Sequence, residues 1–126
     1  MINNKFFVKG ISMFPLIKEN SHVIIKYTNM INTGDIIIFK FKDNKKAVHR
    51  VIKINKKIIT KGDNNYFFDK PILKSKIIAK VTKINNKDVN LYNNKLIAKI
   101  SYLEGLINSK NKLIHKIFQK LIILFN

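Results

Sequence analysis

Between Phe6 and about Asn90 the apolar runs are short and punctuated by Asn, Asp and Gly, a rhythm that suits strands of about four to eight residues and leaves little room for helices. The runs are Val23-Ile24-Ile25, Asp35-Ile36-Ile37-Ile38-Phe39, Ala47 to Ile54, Lys57 to Thr60, and Ile77 to Ile84. Their Ile, Val and Phe content favours a pleated, half-buried surface. Between them lie Asn32-Thr33-Gly34-Asp35, Lys42-Asp43-Asn44-Lys45, Lys61-Gly62-Asp63-Asn64-Asn65 and Asn85-Asn86-Lys87-Asp88. These segments are turn chemistry, because Gly and Asn tolerate positive φ and short polar side chains bond nearby backbone amides. Short strands at this spacing predict a compact, mainly β domain of antiparallel strands over residues 1–94.

The period changes after Asn94. Leu96, Ile97, Ile100, Leu103, Leu106 and Ile107 recur at helical steps, and so do Leu113, Ile114, Ile117, Phe118, Leu121 and Ile122, with Lys112, Lys116 and Lys120 on the opposite side. Residues 95–126 are therefore expected to form one or two amphipathic helices extending the same domain. Ser109 is the expected cap of the second. The apolar face over 110–126 has two possible partners, the β domain or a lipid surface that its lysines would reach.

A chain of 126 residues has material for one core. Its formal charge of +18, from 25 Lys+Arg against 7 Asp+Glu, attracts phosphates, acidic lipids or acidic peptides alike. Lysine, asparagine and isoleucine crowd the whole chain, so a compositional bias explains much of that charge and a nucleic-acid partner is not expected. Without cysteine there are no disulfides, thiolate metal sites or cysteine nucleophiles. His22, His49 and His115 are too scattered for a metal cluster, so no metal or cofactor is expected. No apolar run reaches the roughly 20 residues of a spanning helix, and Met1 lies too close to the reactive segments for an anchor to precede them. A cytoplasmic or peripheral protein is expected, with His22 and His115 on its surface.

Three segments place reactive side chains inside strand-like text: Gly10-Ile11-Ser12-Met13-Phe14-Pro15, Ala47-Val48-His49-Arg50-Val51-Ile52, and Thr60-Lys61-Gly62-Asp63-Asn64-Asn65 followed by Asp69. A serine hydroxyl becomes a useful nucleophile when an imidazole takes its proton, and a carboxylate can orient that imidazole. Each segment supplies one of these groups. Gly10 lets the backbone approach a ligand, and Pro15 restricts Phe14, so amides at Gly10, Ser12 and Met13 are candidate donors to an oxyanion.

These boxes resemble the signal peptidase I family of serine peptidases, in the branch that pairs serine with histidine rather than lysine. Gly10 to Pro15 is similar to the nucleophile box, Gly34-Asp35-Ile36-Ile37-Ile38-Phe39 to the second box, and His49-Arg50-Val51-Ile52 to the base-bearing box. Lys61 to Asn65 with Asp69 resembles the acidic box, and Ile77 to Val81 the strand that follows. The resemblance covers about Val8 to Val81. It implies a signal-peptidase-like β fold, with Ser12 as nucleophile, His49 as base and Asp69 as the orienting acid. Asp63 is a second candidate acid or a structural support, and Arg50 is expected to brace the fold through a carboxylate. Gly10 stands where the family often has a serine whose hydroxyl serves the oxyanion, and Asn20-Ser21 replaces a Gly-Asp turn.

The implied activity is endopeptidase cleavage of a leader or signal segment after small residues, without a cofactor. The implied partner is a peptide or preprotein. The alternative is an inactive peptidase scaffold serving as a basic module for nucleic acid or acidic membranes. Lys45 and Lys46 are reserve bases should His49 not serve. A lysine base is also the pattern of the related self-cleaving repressor domains.

Overall fold

The computed structural model describes residues 4–125 and shows one antiparallel sheet flanked by two C-terminal helices. The strands are β1 (Lys5–Phe7), β2 (His22–Lys26), β3 (Ile36–Lys40), β4 (Lys46–Ile54), β5 (Ile58–Lys61), β6 (Ile77–Ile84) and β7 (Lys87–Asp88). Their spatial order is β1-β2-β6-β3-β4-β5, with β7 paired to β6. The five expected strands are present to within a residue or two at their ends. Strands β1 and β7 are additions: β1 borrows its partner from β2, and Asn85 and Asn86 take positive φ so that β7 folds straight back on β6. Neither is long enough to show a period of its own.

Strand β3 is buried on both sides from Ile36 to Phe39, which is why it reads as an uninterrupted apolar run rather than an alternation. Ile36 and Ile38 face one core with Val23, Ile25, Ala79 and Val81. Ile37 and Phe39 face a second core with Val51, Ile58, Ile72 and Ile77. The segment linking β1 to β2 lies over the first core, where Met13 and Ile17 are fully buried and hold it down. Residues 69–72 run beside β5, joined by amide-to-carbonyl bonds from Asp69 to Thr60 and between Ile58 and Ile72.

Helices α1 (Leu91–Ile107) and α2 (Lys112–Leu124) follow. Helix α1 begins a few residues before the expected boundary at 94, because the Asn90 side chain accepts from the Asn93 amide and caps it. The second cap is Asn111, whose side-chain oxygen accepts from Leu113 and Ile114; Ser109 instead accepts from the Asn111 amide. Helix α2 turns Ile122 into the core and half-buries Ile114 and Phe118, yet leaves Leu113, Ile117 and Leu121 exposed. Its apolar arc is wider than the surface it packs on.

Candidate active site

Three distant pieces of chain converge at one edge of the sheet. Ser12 is carried by the segment pinned through Met13 and Ile17, His49 by β4, and Asp69 by the strip beside β5. His49 Nδ1 lies 2.5 Å from Asp69 Oδ2, and His49 Nε2 lies 3.1 Å from Ser12 Oγ. An ionised carboxylate only accepts, so Nδ1 carries the ring hydrogen and Nε2 is left to accept from the serine hydroxyl. The side chains of His49 and Asp69 are 12% and 24% exposed, shielded but reachable from solvent. Phe39 packs edge-on against the imidazole, with ring centroids 5.8 Å apart. Such an arrangement can raise the nucleophilicity of an alcohol.

Thr60 is a participant that sequence reasoning passed over, although it stood in the segment singled out. Fully buried, it donates from Oγ1 to Asp69 Oδ2 at 2.7 Å while its carbonyl accepts from the Asp69 amide at 2.9 Å. Asp69 is thereby fixed at two points before it meets the histidine.

Asp63 is placed elsewhere. Its two oxygens accept from Arg50 Nε at 2.8 Å and Arg50 Nη2 at 2.7 Å, both side chains being wholly buried. Arg50 Nη1 also donates to the carbonyl of Gly34 and to Asn94 Oδ1, each at 3.0 Å. As expected of it, Arg50 braces the fold; its fork ties β4 to the acidic loop and to α1. Asp63 is thus a structural residue and not a partner of His49.

The acidic loop also supports the nucleophile segment directly. The Asn64 amide donates to the Ser12 carbonyl at 2.8 Å, and Asn64 Nδ2 donates to the Ile11 carbonyl at 3.1 Å. Gly62 allows this approach, since a Cβ there would lie 2.6 Å from the Ser12 carbonyl oxygen. Gly10 takes φ +80°, and its amide donates to Glu19 Oε1 at 3.2 Å, so that amide is already engaged. Among the described residues nothing accepts from the amides of Ser12 and Met13, which leaves two of the three expected donors open.

His115 is not a free surface residue. Its Nδ1 lies 2.5 Å from Glu104 Oε2 and its Nε2 lies 3.1 Å from Asn64 Oδ1. Glu104 Oε1 accepts from Lys61 Nζ at 2.8 Å, and that buried ammonium also donates to Ser101 Oγ at 3.1 Å. Asn64 thus links two segments, its nitrogen donating to the Ile11 carbonyl and its oxygen lying against the His115 ring. Gln119 adds a bond from Nε2 to the Asp63 carbonyl at 2.6 Å. Both helices therefore back the loop that holds Ser12. Helical periodicity reports only apolar faces and gave no hint of these polar links. Lys45 and Lys46 are exposed, and the Ser12 hydroxyl is engaged by His49. No group of acidic or histidine side chains among the described residues is arranged to hold a metal ion.

Residues 5–82 match the model of the Peptidase S24-like family, more than half of the chain, and the protein belongs to that family. The match spans β1 to most of β6 and includes Ser12, His49 and Asp69. No curated protein and no solved structure gives a significant match.

Proposed function

We propose that the protein is a serine endopeptidase that works through Ser12, His49 and Asp69, cutting a leader or signal segment after a small side chain. The observation that carries this reading is the unbroken chain of contacts from Asp69 through His49 to Ser12, inside a family of peptidases. In the first step the Ser12 oxygen attacks the peptide carbonyl carbon while its proton passes to His49 Nε2. The imidazolium is stabilised by Asp69, and the amides of Ser12 and Met13 meet the oxyanion. His49 then returns the proton to the departing amine, leaving an acyl-enzyme that water hydrolyses with the same base. The preference for a small residue and for a leader segment is supported by the resemblance of the four boxes.

A strand edge is available for the substrate. Strand β4 pairs with β5 only from Arg50 to Ile54, so the side of Lys46–His49 facing away from β3 has no strand partner among the described residues. An extended peptide added there would lie beside His49.

A peripheral membrane contact belongs to the same proposal. No helix among the described residues is long and apolar enough to cross a membrane. Leu113 is 68% exposed and Leu124 73%, next to Lys112, Lys116 and Lys120. Glu104, the sole acid of the two helices, is buried. That face suits an anionic lipid surface.

The test is cleavage of Ala-containing leader peptides followed by mass spectrometry. Wild-type protein is expected to cut them and Ser12→Ala and His49→Ala are expected not to. Undiminished turnover by both variants would overturn the assignment.

A further inference from the structure

A pocket of about 700 Å³ opens beside His49 and Asp69, within the range of sites that enclose small ligands and far larger than an alanine methyl requires. Its apolar wall is built from Phe39, Ala47 and Ile72, which also belong to the second core, so the wall is rigid. Phe39 touches the imidazole as well, which joins the pocket to the reacting groups. Phe41 and Leu73 stand at its mouth, 44% and 52% exposed, apolar surface that a ligand would cover.

The mouth is also cationic. Lys40, Lys42, Lys70 and Lys76 line it, all are exposed, and none has an ion-pair partner among the described residues. The single acid of the lining is Asp69, whose Oδ2 is taken by His49 and Thr60. A ligand carboxylate therefore meets four ammonium groups with little opposition.

We infer that this pocket is a specificity subsite that takes a large apolar side chain from a peptide bearing carboxylates next to that side chain. The inference rests on the peptidase reading for its peptide ligand, while the pocket itself does not depend on turnover. Ala47 lines both the pocket and the unpaired edge of β4, so a peptide strand added to that edge would deliver alternate side chains to it. The small residue at the scissile bond and the large one in the pocket are then different positions of one substrate.

The experiment uses Ser12→Ala protein, which cannot turn over, and fluorescein-labelled octapeptides of Ala and Glu in which one Leu is walked through each position. Fluorescence anisotropy is expected to single out one or two positions where Leu binds about tenfold or more tighter than Ala. Replacing the neighbouring Glu by Lys is expected to weaken that peptide to a similar degree, and Ala47→Trp, which sets an indole into the pocket wall beside the β4 edge, to reduce the difference between Leu and Ala. Equal binding of every Leu position, or no binding at all, would overturn the subsite. Reaction of wild-type Ser12 with a fluorophosphonate reports separately on the peptidase reading. Selective peptide binding without that reaction would leave the subsite standing and remove the catalysis.

Discussion

Asp63 and Asp69 carry the same carboxylate on neighbouring stretches of chain, yet their surroundings give them opposite consequences. Asp63 neutralises a guanidinium that has no access to water, and removing one partner of such a pair costs about 3–5 kcal/mol. Asp63→Ala is therefore expected to lower the urea midpoint sharply. Asp69 is part-exposed, and Asp69→Asn should leave the midpoint nearly unchanged while hydrolysis falls about ten-thousand-fold, as when an orienting acid is lost from a serine–histidine pair. Chemical denaturation and peptide turnover on both variants check the pair together. Gly62→Ala should reduce turnover as well, because its Cβ would press on the Ser12 carbonyl and shift the hydroxyl from His49. Ser12, His49 and Arg50 were legible in the sequence because reactive or charged residues are conspicuous in apolar text. The two aspartates were not separable there, since each follows the turn at Gly62 and only the third dimension shows which one meets an arginine and which an imidazole.

At the scale of elements, α2 divides its own apolar arc. Ile122 is wholly buried, so Ile122→Ala should cost about 2–5 kcal/mol, whereas Leu113→Ala at an exposed position should change stability by under about 0.5 kcal/mol. The exposed half is tested by vesicle flotation: wild-type protein is expected to float with phosphatidylglycerol vesicles and not with phosphatidylcholine, and replacing Leu113, Ile117 and Leu121 together by Ser should abolish flotation without unfolding the protein. Flotation unaffected by the triple change would exclude this face as the contact. Helical spacing located both helices and the width of the arc. It could not say how much of the arc the sheet would cover, because that depends on how Gln119 and His115 are drawn toward the acidic loop.

For the whole molecule, the distribution of the seven acids matters more than the total charge. Asp35, Asp63 and Glu104 are buried and Asp69 belongs to the site, so the outer surface is more uniformly cationic than the composition alone implies. Such a field accelerates encounter with acidic ligands and is screened by salt. With an acidic peptide, kcat/KM is accordingly expected to fall several-fold between low and physiological ionic strength, and with a neutral peptide to change little. The mainly β architecture was readable because short runs and turn residues agree along the chain. The convergence of three segments was expected from the resemblance of the boxes, but what brings it about was not legible: Met13 and Ile17 anchor one segment over the sheet and Thr60 holds another. The most direct measurement of that convergence is the intact mass of the protein after exposure to a fluorophosphonate. One adduct on Ser12 in the wild type and none in His49→Ala is the expected result; an unreactive wild type, or equal labelling of both, would contradict the account.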